Sequence, residues 1–239
     1  MTDHLPGRDP SLLLLCDHAS AYVPPDMAIA PELLTLHIGV DIGAGPLTRA
    51  LSASLDAPAI LGTVSRLVID LHRQSDHPGL IPTVSDGHAI PANIDADRID
   101  RIARFHAPYH RAIREQVRRD RPCLIVAIHS FNPQLETAGA PRPWHAGILY
   151  GRDDRAARIA IDFLRAQGIR TGDQEPYSGR LLNATLDRHA DGQGIHSLSV
   201  EIRNDLIADP VGVASWCSIL TDMVAAVRNG LALNVAPAQ

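Results

Sequence analysis

The stretch "SLLLLCDHASAYVPPDM", Ser11 to Met27, carries four consecutive leucines into an acid and an imidazole, Asp17 and His18, and then into Pro24 and Pro25. A short apolar run that does not alternate is the pattern of a strand covered on both faces, as in a parallel or mixed sheet between helices. Ligands of such sheets gather beyond the carboxyl ends of the strands. The run therefore predicts a central strand, Leu12 to Cys16, that delivers Asp17 and His18 to the edge where a site forms.

The same pattern recurs at Ala59 to Leu61, Leu67 to Leu71, Leu124 to Ile128, Ile148 to Tyr150 and Leu198 to Ile202. Helical patterns separate these runs: "DIGAGPLTRALSASL" from Asp41, "DADRIDRIARFHAPYHRAIREQVRRD" from Asp95, "DDRAARIAIDFLRAQG" from Asp153, and the closing stretch from Val211 to Leu231. In the third, Asp153 reads as the N-cap. Ala156, Ile159, Ala160, Phe163 and Leu164 form one apolar face, and Gly168 is the stop. This alternation predicts an α/β fold, three layers with helices on both sides of a mostly parallel or mixed sheet, as a single domain over residues 1–239. Ser75 to Asn93, rich in Pro, Gly and His, reads as a long loop, and loops of that length in compact domains are often functional.

Composition narrows the function. With 239 residues, 45% of them hydrophobic, the chain can bury a substantial core. The formal charge is −5 and the cationic residues are scattered, which argues against a nucleic-acid partner. All 22 cationic residues are arginine, which excludes a Walker lysine or a Schiff-base lysine and leaves guanidinium forks suited to carboxylates. Cys16, Cys123 and Cys217 are an odd number without a CxxC pair, so they read as buried thiols in a reducing cytosol. No apolar run approaches the ~20 residues of a membrane span, and the polar start "MTDHLPGRDP" does not read as a signal peptide. The expectation is a soluble, cytoplasmic protein with no membrane partner, and nothing in the sequence fixes its oligomeric state.

Two further strands are predicted to end as the first does. "CLIVAIHSFNP" ends on His129 and Ser130, and "HSLSVEIRNDL" places Glu201 and Arg203 near the end of a third run. Three strands then bring His18, His129 and Glu201 to one rim. Two imidazoles and one or two carboxylates are what a catalytic zinc site asks for, with a position left to water. Asp41 in "LHIGVDIGAG" is the candidate third ligand; an N-cap role at the following helix is open to it as well. A competing pair, His106 and His110 in "HAPYH", has the four-residue spacing by which helices present two zinc ligands, but Ala107 stands where that motif needs glutamate and Pro108 interrupts the pattern.

In order along the chain, "LLLLCDHASAYVP", "HIGVDIGAGPLTRALSASLDAPAI", "VSRLVIDLHR", "PYH", "IVAIHSFNP" and "LSVEIRNDLI" resemble the N-formylglutamate amidohydrolase family, from about Leu12 to Leu206. That resemblance implies an architecture like the zinc carboxypeptidases and aspartoacylases, a phosphorylase/hydrolase-like mixed sheet between helices. It implies one zinc ion per chain, with His18, Asp41 and His129 as ligands and Glu201 as general base, acting on a small anionic N-acyl amino acid such as N-formylglutamate. Arg66 and Arg73, with Asp70 between them, are the forks of the family-like "SRLVIDLHR". On a strand Arg66 and Asp70 share a face, so Arg66 reads as a held fork, counted with Glu201 as catalytic, and Arg73 as a freer one for substrate. Arg203, Ser130, Tyr177 of "EPYSG" and the Arg180 that follows that stretch are further substrate candidates. The chain departs from the family pattern at Ala21, Val40 and His72, where Asn, an aromatic residue and Asn are expected, and these departures bear on the substrate. A metal-free phosphorylase-like enzyme, or a non-catalytic protein that binds anions, is the alternative for the same fold.

Overall fold

The computed structural model describes residues 2–137 and 139–233. In chain order it runs β1 (Thr2–Leu5), β2 (Leu12–Cys16), α1 (Ala44–Leu55), β3 (Ala59–Gly62), a small hairpin of β4 (Val84–Ser85) and β5 (His88–Ala89), then α2 (Arg98–Arg101) and α3 (Ala107–Asp120). The second half continues through β6 (Leu124–Phe131), β7 (Ala146–Leu149), α4 (Arg155–Ala166), β8 (Thr171–Asp173), α5 (Ala184–His189), β9 (His196–Arg203) and α6 (Pro210–Leu233). Seven strands form one mixed sheet in the order β1-β3-β2-β6-β9-β7-β8. The β3, β2, β6 and β9 strands pair in parallel, whereas β1 on β3 and β7 on β9 are antiparallel.

All five residues of β2 are buried, because the strand lies mid-sheet with apolar side chains on both faces. Leu12, Leu14 and Cys16 pack with α1, α4 and α6, and Leu13 and Leu15 with α3, α5 and the loops of the other side. Each fully buried leucine contributes about 1.5–3 kcal/mol relative to exposure. From β2 the chain crosses through α1 to β3 on one flank, then through α3 to β6 on the other. The point where it reverses lies between the carboxyl ends of β2 and β6, the place where open α/β sheets bind ligands.

The differences from the sequence reading have local causes. Leu67–Leu71 is buried but is not a strand. Three of its carbonyls are taken by side chains instead of a ladder: Asn93 Nδ2 donates to Leu67 O (2.8 Å), Arg101 to Val68 O (2.7 Å) and His110 Nε2 to Leu71 O (3.0 Å). Buried carbonyls must be paired, and these polar side chains pair them. The β6 and β9 strands run further than expected, so His129 and Ser130 lie within a strand rather than beyond it, and Glu201 lies inside β9 as the run Leu198 to Ile202 predicts. Asp154, not Asp153, holds the N-cap position of α4, while Asp153 Oδ1 accepts from Arg155 N (3.2 Å). The α1 N-cap is Gly43, at φ +81°, a conformation glycine adopts without strain, so Asp41 is not the cap. The long helical pattern from Asp95 divides at a π turn, Ile102–His106: Pro108 has no N–H to donate, and the Ala107 N–H reaches back five residues to Ile102 O. Over Pro210–Leu231, α6 is long and apolar enough by composition to cross a membrane (mean hydropathy 1.5), which the run-length criterion overlooked because serines and threonines interrupt the run. One face of it packs on the domain, with Trp216, Leu220, Met223, Val224 and Val227 buried in the cluster shared with α1 and α4.

Candidate active site

At the carboxyl edge of β2, β6 and β9 lies a cavity of about 330 Å³. His18 reaches it from the turn after β2, Asp41 from the turn before α1, and His129 and Glu201 from β6 and β9. His18 and Asp41 are tied through the backbone, Asp41 N donating to His18 O (3.1 Å). His129 and Glu201 are direct partners in the parallel register of β6 and β9 and face the same side. Arg66, Arg73, Ser130 and Tyr177 also line the cavity, whereas Arg180 and Arg203 do not. Arg180 is exposed, and Arg203, although two residues after Glu201, folds its guanidinium back onto Asp205 (2.8 and 3.1 Å).

The two imidazoles converge on one oxygen. His18 Nδ1 lies 3.3 Å and His129 Nδ1 2.9 Å from Asp41 Oδ2. On their far sides His18 Nε2 is 2.7 Å from Asp70 Oδ1, and His129 Nε2 is 3.2 Å from Asp17 Oδ2 without the alignment of a hydrogen bond. Each ring is thus held between two carboxylates, the device that fixes the orientation and tautomer of metal-binding histidines. Arg66 donates to Asp41 Oδ1 (3.0 Å) and to Asp70 Oδ2 (3.2 Å), leaving Asp41 Oδ2 toward the imidazoles. The three converging atoms of His18, Asp41 and His129 lie within 4.8 Å of one another. Their separations from the shared oxygen match the ~3.3 Å edge expected between ligands of a tetrahedral ion with bonds of ~2.0–2.1 Å. By donor type and spacing these residues fit zinc.

Charge in the site follows from burial and partners. Burial alone would raise the Asp41 carboxyl, but His18, His129 and Arg66 outweigh it and hold it well below the usual carboxylate range. Asp17, opposed by His72 and His129, and Asp70, opposed by His18 and Arg66, are held low against burial in the same way. Burial would lower both imidazoles, yet the carboxylates around them raise His18 and raise His129 further. Glu201 is different: burial dominates and pushes its carboxyl up, and its Oε2 has no hydrogen-bond partner among the described residues. A buried carboxylate with raised proton affinity and a free oxygen is suited to proton transfer.

Arg73 sits 3.5 Å from Asp70 Oδ2 through Nε, and no hydrogen bond among the described residues engages its terminal nitrogens. Arg66, by contrast, is committed to two carboxylates. The Ser130 hydroxyl donates to Ile42 O (2.8 Å), and the Tyr177 hydroxyl accepts from Arg142 (3.0 Å). The sequence reading placed Asp17 at the site edge without giving it a role, and did not single out Asp86 or His37. Asp17 stood beside His18 in the opening stretch, and its backing of His129 depends on a contact 112 residues away in the chain that no local pattern carries. His72, where the family pattern has Asn, lines the cavity with Nδ1 2.9 Å from Asp17 Oδ2 and Nε2 3.1 Å from Leu182 O. His106 and His110 lie behind the cavity wall, their Nε2 atoms bonded to Arg73 O (2.9 Å) and Leu71 O (3.0 Å), and they belong to no metal-binding cluster among the described residues.

Residues 10–208 match the family model for N-formylglutamate amidohydrolase. A solved gene product of Agrobacterium tumefaciens is similar with a TM-score of 0.91 at 27% identity, over 96% of this chain and 95% of that one. The N-formylglutamate amidohydrolase of Ralstonia eutropha is similar in fold with a TM-score of 0.74 at 21% identity, over 96% of each chain. No curated protein matches the chain.

Proposed function

Because the chain belongs to the N-formylglutamate amidohydrolase family, we propose that it cleaves the amide of an N-formyl or small N-acyl amino acid such as N-formylglutamate, using a zinc ion held by His18, Asp41 and His129. The observation that carries this reading is the convergence of those three side chains in one cavity beside a buried Glu201 whose Oε2 has no hydrogen-bond partner among the described residues. Bound there, zinc supplies a lowered water pKa near neutral pH and polarisation of the amide carbonyl. Glu201 takes the proton from water and passes it to the leaving amine, so the acyl group departs as a carboxylic acid. Arg66 holds Asp41 and Asp70 in place, and Asp70 and Asp17 orient the two imidazoles from behind. Arg73, whose terminal nitrogens bond no described residue, receives a substrate carboxylate by charge-assisted hydrogen bonds.

Elemental analysis of protein purified without chelator tests the reading together with release of formate from N-formylglutamate. The expected result is one zinc or similar ion per chain, lost in His18→Ala and in His129→Ala while the circular dichroism spectrum persists. Unchanged metal content in either variant removes the ligand assignment. Absence of metal and of hydrolysis in the native protein returns the chain to anion binding.

A further inference from the structure

Another meeting of metal-binding side chains stands where His37 and Asp86 line the same cavity, away from the inner cluster. His37, Asp86 and Glu136 each offer one ligand atom, all within 4.8 Å of one another. They come from three segments: the turn before Asp41, the tip of the β4–β5 hairpin, and the loop after β6. His37 Nε2 is shielded from solvent and makes no hydrogen bond among the described residues, although it stands 3.1 Å from Asp86 Oδ2. That separation is close to the ~3.3 Å edge between two ligands of one ion with bonds of ~2.0–2.1 Å.

Around this pair the loops are already locked. The Asp86 carboxylate accepts from Glu136 N (2.9 Å) and Thr137 N (3.0 Å), which brings the Glu136 side chain alongside. Glu136 Oε2 in turn lies 2.9 Å from His88 Nε2, so a histidine backs this carboxylate from outside as carboxylates back the histidines of the inner cluster. One imidazole nitrogen and two carboxylate oxygens suit zinc or a similar divalent transition ion better than calcium or magnesium, which favour all-oxygen shells. We propose that His37, Asp86 and Glu136 form a second divalent-metal site, weaker than the inner cluster, that ties the β4–β5 hairpin to the loop after β6 beside the cavity.

The test is a calorimetric titration of Zn²⁺ into chelator-treated His129→Ala protein, in which the inner cluster has lost a ligand. A weak equivalent is expected. Adding His37→Ala, or Glu136→Gln at an exposed side chain that the fold does not depend on, should weaken it by at least about tenfold, the loss that even an outer partner of a metal produces. Co²⁺ in place of Zn²⁺ should give visible absorption bands that the same substitutions remove. No binding in the His129→Ala protein, or binding that both added substitutions leave intact, overturns the proposal. Since the readout is taken with the inner cluster disabled, its failure is separate from failure of the amidohydrolase reading, which the metal content of the native protein decides.

Discussion

At the scale of single residues, the proposed division of labour sets apart side chains that hold the ion from those that move protons or grip substrate. Glu201→Gln keeps the shape and removes the base; it should retain metal and lower kcat by ~10²-fold or more. Metal analysis beside steady-state rates checks this, and an unchanged kcat assigns the proton transfer elsewhere. Arg73→Met keeps the apolar stem and removes the free fork. A charge-assisted hydrogen bond is worth ~1.5–3 kcal/mol, so KM for N-formylglutamate should rise about ten- to a hundredfold, and far less for a neutral N-formyl amino acid amide. Equal rises on the two substrates place Arg73 at the reaction centre or in the fold. The histidines of the candidate cluster were legible because each follows an apolar run, and Asp41 because glycines follow it. Asp17 and Asp70 were not legible as their partners, since which acid stands behind which imidazole is decided by contacts 112 and 52 residues apart.

At the scale of elements, Leu67–Leu71 shows where pattern reading stops. Continuous burial predicts a strand when backbone groups pair in a ladder, but here Asn93, Arg101 and His110 pair the carbonyls of Leu67, Val68 and Leu71 one at a time. The β1 and β8 strands were missed for the opposite reason: at the sheet edges they are short and need no apolar run. The histidines behind the Leu67–Arg73 segment make a chain of neutral rings. His110 Nε2 donates to Leu71 O, so its Nδ1 accepts, and His189 Nε2 donates to it at 2.9 Å. Burial pushes His110 down to about 2 and His189 down to about 4. Both folded values lie below the unfolded value near 6.5, so below that pH the unfolded chain binds protons that the folded chain refuses. Their contribution is constant above pH ~6.5 and is lost as pH falls below it, by at most ~1.4 kcal/mol per pH unit for each ring. His189→Gln keeps a donor toward His110 and removes one titrating ring. Its stability, from urea midpoints between pH 7 and 4.5, should fall less steeply than that of the native chain; parallel curves would show that His189 does not refuse the proton.

At the scale of the whole molecule, the sheet divides support from chemistry. Its α1, α4 and α6 face is an apolar cluster, and its other face shares space with the histidines and the cavity wall. Leu220→Ala, at a fully buried position on the first face, should cost about 2–5 kcal/mol in denaturant unfolding while the folded protein keeps its kcat/KM. A change in kcat/KM there would couple the two faces. The three-layer architecture was legible from the alternation of buried runs and amphipathic stretches; the extra length of β6 was not, because His129 and Ser130 are polar and were read as lying beyond the strand. That extra length has a further consequence. His129 and Glu201 are neighbours in a parallel ladder that continues to Phe131 and Arg203, after β2 has stopped pairing with β6 at Ala127. The gap between the proposed ligand and the proposed base is therefore the ~4.8 Å pitch of peptide hydrogen bonding, and a slip of one residue would turn one of them to the opposite face. The sheet works as a ruler whose graduations are set by the backbone. A descendant that keeps these two strands inherits the interval unaltered, and remains free to rewrite its loops for a different guest.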